Sequence, residues 1–168
     1  MWRSIFLLVM AIGVIAPSPA TAQFFMKNPD FSGEPVRGDE PGLFVPLPNA
    51  TPDELRAGMV WSLRAALNVS ALGCDFAPIL LTAPTYNAVL ADHRAELASS
   101  FDRLGKYFAR MNKAKAKATT EFDKYQTRVY SSFTTVYAQY NFCQTASLVA
   151  RDAIFTPRGE LNKVAENR

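Results

Sequence analysis

The stretch from Tyr86 to Met111, YNAVLADHRAELASSFDRLGKYFARM, carries the clearest periodicity of the chain. Its large apolar residues recur every three or four positions, the spacing that places side chains on one face of an α-helix. Pro84 precedes the stretch at a point where proline is compatible with a helix start. We therefore expect one long amphipathic helix from Pro84 onward. Its apolar stripe consists of Tyr86, Leu90, His93, Leu97, Phe101, Leu104, Phe108 and Met111.

A helix upstream of this one is predicted from the residues TPDE at positions 51–54. Thr51 can cap the helix, Pro52 suits its first turn, and the Glu54 side chain can accept from the backbone of the cap. Gly73 is the expected end, because glycine commonly follows the last helical turn. The apolar stripe of this helix consists of Val60, Leu63, Leu67, Ala71 and Cys74.

A third helix is predicted downstream, beyond a lysine- and alanine-rich turn within residues 112–120. Thr120 and Asp123 form a second capping pattern, and Pro157 and Gly159 end the periodic region. Strand signals are nearly absent. The predicted fold is therefore all-α: an antiparallel three-helix bundle, with at most one short fourth helical turn near Pro78.

The first 22 residues have the features of a cleavable secretory signal. They combine Arg3, an apolar run over residues 5–16 and the small residues Ala20, Thr21 and Ala22. The apolar run is shorter than the roughly 20 residues needed to span a bilayer. We expect cleavage near Ala22, a periplasmic or secreted location, and no transmembrane segment in the mature chain.

Residues 23–50 contain five prolines and three glycines, which oppose continuous helix or strand. The expected organisation is an extended arm over 23–50, a helical domain over 51–156 and a loose tail over 157–168. Two interpretations of the arm remain open. It is either a flexible leader, or a strap that docks on a groove through Leu43, Phe44, Val45 and Leu47.

The two cysteines, Cys74 and Cys143, predict one disulfide, because paired cysteines in an exported chain are usually oxidised. Both lie on the apolar stripes of their predicted helices. A third helix rising about 1.5 Å per residue would also return Cys143 to the level of Cys74. A redox-active pair is not expected, since such cysteines lie close together in sequence.

His93 is the single histidine of the chain, and its place on an apolar stripe indicates a structural role. A zinc site would need further ligands on the same face, and Glu96 is the one carboxylate placed suitably nearby. A Glu-x-x-His pair for a di-iron site and a Gly-x-Ser-x-Gly nucleophile motif are both missing from the sequence. We therefore assign no catalytic residue, no metal and no cofactor from the sequence.

The formal net charge of +3 is too small to indicate binding to nucleic acid. Locally, however, basic residues recur every three or four positions along one predicted helix edge. This edge is either a solvated face or a docking strip for an anionic partner. We call it the basic strip: Arg103, Lys106, Arg110, Lys113 and Lys117.

Three aromatic residues of the predicted third helix, Tyr130, Tyr137 and Phe142, lie off its main apolar stripe. Tyrosine is frequent at interfaces, where one end of the ring is buried and the other stays wet. These residues are therefore candidates for contact with a second copy of the chain or with another protein.

The sequence favours an exported, non-enzymatic binding, scaffold or assembly protein that acts through the basic strip and the exposed aromatics. An alternative is a carrier of a small apolar ligand, held near Leu97, Phe101 and Phe133. An exported enzyme without a recognisable motif is the third interpretation.

Overall fold

The computed structural model describes residues 34–135 and 139–167. Within these ranges the chain forms helices and no strand, so the all-α prediction is confirmed. The expected signal sequence and residues 23–33 lie outside the described part. The helices are α1 (Pro52–Gly73), α2 (Thr82–Asp92), α3 (Arg94–Met111), α4 (Lys115–Thr134), α5 (Tyr140–Phe155) and α6 (Leu161–Asn167). A 3₁₀ turn, Pro78–Leu80, joins α1 to α2.

Helix α1 begins and ends where the sequence predicts. The Thr51 hydroxyl accepts from the Glu54 N–H at 3.3 Å, and the Glu54 carboxylate accepts from the Thr51 N–H at 2.7 Å. This reciprocal capping satisfies two donors that a helix N-terminus otherwise leaves free. Helix α1 contacts each of the other five helices, and it carries an unbroken run of buried residues from Ala57 to Ser62. It is therefore the central helix of the described domain.

The core consists of two clusters on either side of α1. One is rich in aromatic side chains from α1, α3 and α4: Trp61, Tyr107, Phe108, Phe122 and Tyr125. The other joins α1 to α2, α5 and α6 through smaller side chains: Leu67, Val89, Ala150, Leu161 and Val164.

The predicted long helix is broken at His93 into α2 and α3. The His93 N–H still donates to the Val89 carbonyl at 3.0 Å, and the His93 carbonyl accepts from the Leu97 N–H at 2.9 Å. Since the hydrogen-bond ladder and the apolar spacing both continue across the break, the sequence pattern gave no sign of it.

The predicted third helix also differs from the structure. It starts at Lys115 and not at Thr120, because lysine and alanine are good helix formers and need no apolar face to start a helix. Thr120 lies inside α4, where its hydroxyl donates to the Ala116 carbonyl at 3.0 Å. Helix α4 ends at Thr134 and α5 begins at Tyr140, so the described part contains six helices where the sequence predicted three.

Residues expected to form a loose tail include helix α6, in which Leu161 and Val164 are buried. The Glu96 carboxylate accepts the backbone N–H groups of Leu161 and Asn162 at 3.0 and 3.2 Å. A glutamate from α3 therefore caps α6. This long-range cap could not be read from the sequence, because its two partners are 65 positions apart.

The disulfide between Cys74 and Cys143 is present, as predicted, with a Cα–Cα distance of 5.7 Å. Both cysteines are buried, one at the C-cap of α1 and the other in the first turn of α5. The bridge therefore joins two helices that are far apart in the chain.

Residues 34–50 contain neither helix nor strand and lie against the helices. Leu47 is buried in the aromatic cluster, and the Pro48 carbonyl accepts from the Tyr107 hydroxyl at 2.9 Å. At its start this segment is bonded to α6, since the Val36 N–H donates to the Glu166 carbonyl at 2.9 Å.

Candidate functional site

An apolar groove of about 500 Å³ lies between residues 36–44, α1, the end of α4, α5 and α6. Its lining includes aromatic and aliphatic side chains from all five segments. The largest of these are Leu43, Phe44, Met59, Leu63, Leu67, Phe133 and Phe142. None of the described residues lining it carries a charge.

The few polar groups in the groove already have partners. The Ser132 hydroxyl donates to the Val129 carbonyl at 2.7 Å, and the Thr145 hydroxyl donates to the Asn141 carbonyl at 2.8 Å. Ser62 is hydrogen-bonded to Tyr125, whose pKa is raised mainly by burial. The groove therefore offers apolar surface with little demand for polar groups on a ligand.

Three tertiary interactions fix the walls of the groove. The disulfide holds α5 against the end of α1, one residue away from Phe142. The bond from Val36 to Glu166 holds the start of the described chain against α6, and Arg56 of α1 lies 3.6 Å from the same glutamate. The groove is thus built from segments that are tied together independently of any ligand.

A second cavity, of about 450 Å³, lies beside the break between α2 and α3; most of its lining residues are polar or charged, and we call it the polar cavity. Its arginines pair with its carboxylates: Arg103 with Asp53 at 2.9 Å, and Arg158 with Asp92 at 3.2 Å. The positive and negative charges of this cavity therefore balance each other locally.

His93 is one of the residues lining the polar cavity and is almost completely buried. Its Nε2 donates to the Ala153 carbonyl at 2.9 Å, and its Nδ1 lies 3.5 Å from a carboxylate oxygen of Glu96. One ring nitrogen thus faces a carbonyl of α5, and the other faces the carboxylate that caps α6. The imidazole therefore has a structural role between these helices. Within the described residues there is no group of three or more side chains suited to holding a metal ion.

The basic strip does not form one continuous edge. Arg103, Lys106 and Arg110 lie on α3, but that helix ends at Met111 with an extended residue after it. Lys113 is in the connection to α4, and Lys117 is in the first turn of α4. The prediction of a single edge depended on a helix that continued beyond Met111.

Two members of the strip are engaged within the molecule. Arg110 donates to the Glu54 carboxylate at 2.6 Å and to the Asn49 carbonyl at 3.1 Å, while Arg103 pairs with Asp53. Burial tends to raise the pKa of Glu54, but hydrogen bonds from the Thr51 N–H and from Arg110 outweigh it and hold that pKa below its ordinary value. These arginines fasten α3 to the start of α1.

The candidate interface aromatics within the described residues do not share one surface. Tyr130 is half-buried, and its hydroxyl accepts from Arg64 at 3.0 Å. Phe142 lines the apolar groove. Tyr137 lies outside the described residues.

The ligand position predicted for a carrier is not a single site. Leu97 is buried in the core, and Phe101 packs between Trp61 and Phe122 with tilted rings whose centroids are 5.2 and 5.0 Å apart. Of the three predicted residues, Phe133 lines the apolar groove.

A cluster of exposed apolar side chains, not predicted from the sequence, lies where α1 passes into α2. We call this cluster the apolar end loop: Leu72, Phe76, Ile79 and Leu81. Four of the nine large apolar residues that are exposed in the described chain therefore fall within ten positions. Apolar residues lie on both sides of Pro78 in the sequence, but their pattern does not tell whether they are buried or exposed.

No protein-family model, curated protein or solved structure matches this chain. Among the described helices, none combines the length and apolar composition needed to cross a membrane.

Proposed function

We propose that this chain is an exported helical protein, periplasmic or secreted, which binds a small apolar molecule in the groove between α1, α4, α5 and α6. The observation that carries the proposal is the groove itself, which is about 500 Å³ in volume and bears no charge on its described lining. Sites for small molecules typically measure about 300–1,000 Å³ and are mostly apolar with few polar groups. The disulfide fits an oxidising compartment, which supports export.

In this proposal the arm has the role of a strap. Val36, Leu43 and Phe44 line the groove, and Leu47 anchors the same segment in the aromatic cluster. The arm thus closes one side of the binding site, and the helices provide the other walls.

The test is the binding of an apolar fluorescent probe, N-phenyl-1-naphthylamine, to the mature protein. Ala66 lines the groove and is half-buried, so Ala66→Phe places a ring inside it. Ala109→Phe is the matched control, since Ala109 is exposed on α3 away from the groove. We expect Ala66→Phe to weaken probe binding about tenfold, and Ala109→Phe to leave it unchanged. Equal binding by both variants would remove the groove as the site.

A second candidate function is docking to an anionic macromolecule. It is favoured by the exposure of Lys106, Lys113 and Lys117, which lie around the turn between α3 and α4. Such docking would weaken steeply as salt is added, because exposed charges are screened. Replacing these three lysines with glutamine would abolish it without affecting probe binding in the groove.

A further inference from the structure

The apolar end loop exposes large aliphatic and aromatic side chains to an extent that is unusual for a folded domain. The exposed fractions are 76% for Leu72, 54% for Phe76, 85% for Ile79 and 58% for Leu81. Single exposed apolar residues need no explanation, but a cluster of them marks an interaction site.

The loop is held in place on both sides. Cys74 at its start is bound to α5 through the disulfide, and the Ser147 hydroxyl of α5 donates to the Leu80 carbonyl at 2.7 Å. Leu81 has a φ of 52°, a left-handed conformation that is costly for leucine, and its carbonyl accepts from the Thr85 hydroxyl at 2.7 Å. The disulfide and the Ser147 hydrogen bond fix this loop, and Leu81 keeps a strained backbone conformation within it. Such strain is typical of positions where the direction of a side chain matters for function.

The charges around the loop identify the kind of surface that it fits. The sequence contains no lysine or arginine from position 65 to position 93, and the acids in that range are Asp75 and Asp92. An anionic surface would therefore find no basic partner on the loop segment itself. The loop therefore suits a partner whose outer layer carries no net charge and whose interior, just below that layer, is apolar.

We infer that the apolar end loop docks the protein on a zwitterionic lipid bilayer by inserting Ile79, Leu81 and their neighbours below the head groups. A stable protein interface uses about 20–30 residues on each side, whereas the loop spans ten positions and offers four exposed large apolar side chains. Insertion into lipid needs a few protruding apolar side chains and no complementary shape. Tyr140, half exposed one turn before Cys143, suits the polar boundary of a bilayer.

The docking surface also deepens the proposed function, and this part rests on that proposal. Phe142 of the groove is adjacent to Cys143, whose disulfide partner Cys74 belongs to the loop connection. One end of the groove is therefore near the loop. An apolar ligand that is poorly soluble in water would be taken from, or delivered to, the bilayer at this end.

The experiment is flotation of the mature protein with vesicles of phosphatidylcholine and, in parallel, with anionic vesicles of phosphatidylglycerol, at low and at high salt. We expect binding that is insensitive to salt. Ile79→Asp should lower the bound fraction about tenfold, because burying one such side chain contributes roughly that factor. Phe155→Asp is the matched control, since Phe155 is 82% exposed at the far end of α5, and it should bind as the unaltered protein does.

A second variant keeps the test independent of folding. Ile79→Trp retains an apolar side chain, and its fluorescence should be quenched by brominated phosphatidylcholine. Binding of the naphthylamine probe, measured without vesicles, separates the two proposals. Ile79→Asp alters the loop and should bind the probe normally. Ala66→Phe alters the groove, so its loss of probe binding tests the proposed ligand site and not the docking to lipid.

Three outcomes would overturn the inference. The first is no flotation with phosphatidylcholine. The second is binding only to anionic vesicles, reversed by salt, which would indicate the exposed lysines. The third is a dimer formed without vesicles and lost in Ile79→Asp, which would identify a second copy as the occupant of the loop.

Discussion

The imidazole of His93 donates through Nε2 to the carbonyl oxygen of Ala153, 2.9 Å away on a helix 60 positions further along the chain. The other ring nitrogen faces Glu96, which in turn caps α6. One buried side chain thus connects the break between α2 and α3 with both C-terminal helices.

Replacing His93 with alanine should therefore lower the free energy of unfolding by about 3 kcal/mol, through the lost hydrogen bond and the cavity left behind. Urea unfolding followed by circular dichroism measures it. Arg94→Ala is the control, because Arg94 is the exposed next residue. A His93→Ala protein as stable as Arg94→Ala would show that the Ala153 contact contributes nothing.

Reducing the disulfide should destabilise the fold by about 4 kcal/mol in the chain-entropy description, since the bridge closes a loop of 69 positions. The sequence has two cysteines, so a reductant acts on this bridge alone. The measurement is urea unfolding with and without a phosphine reductant. The double variant Cys74→Ser, Cys143→Ser should unfold like the reduced protein and should not respond to the reductant.

Glu54 should make stability depend on pH in the acid range. A carboxyl whose pKa is lower in the folded state than its ordinary value of 4.5 stabilises the fold above that value, and the contribution is lost as pH falls through the folded-state pKa. Glu54→Gln should therefore cost about 2 kcal/mol at neutral pH and less in acid. Unfolding curves across this range check it, with Glu34→Gln, exposed before α1, as the control. Parallel pH profiles for Glu54→Gln and unaltered protein would contradict the assignment.

Gly38 tests how tightly the arm is held. Its φ is +92°, and an added Cβ would lie 2.9 Å from Cγ of Met59 and 3.1 Å from the Leu55 carbonyl oxygen. Gly42 has a similar φ of +83° but open space around it. We expect Gly38→Ala to cost about 2–3 kcal/mol and to expose residues 34–50 to proteases, whereas Gly42→Ala costs about 1 kcal/mol from backbone strain alone. Equal proteolysis of the two variants would mean that the contact with α1 is unimportant.

The sequence was sufficient to predict those structural features that a single local pattern determines. The Thr51–Glu54 cap, the end of α1 at Gly73 and the pairing of Cys74 with Cys143 all depend on nearby residues or on there being two cysteines. The break at His93 could not be predicted, because apolar spacing and backbone hydrogen bonds both continue through it.

The candidate site was less predictable than the fold. Periodicity does not distinguish an apolar residue that is buried from one that is exposed, so the exposure of Ile79 and Leu81 could not be predicted from the sequence. Arg103 and Arg110 were predicted to form an outward edge, yet their carboxylate partners come from the start of another helix. Such pairings exist only once the helices have packed.

The burial of Leu47 beneath the aromatic cluster shows where an independently folding piece of this protein has to begin. A chain shortened to start at Thr51 would still contain the six described helices, yet it would lose the Leu47 side chain that packs against Gly58 and the aromatic cluster. It would also remove the Pro48 carbonyl that accepts from Tyr107 and the Asn49 carbonyl that accepts from Arg110. The smallest unit that retains this architecture therefore includes irregular chain ahead of its first helix.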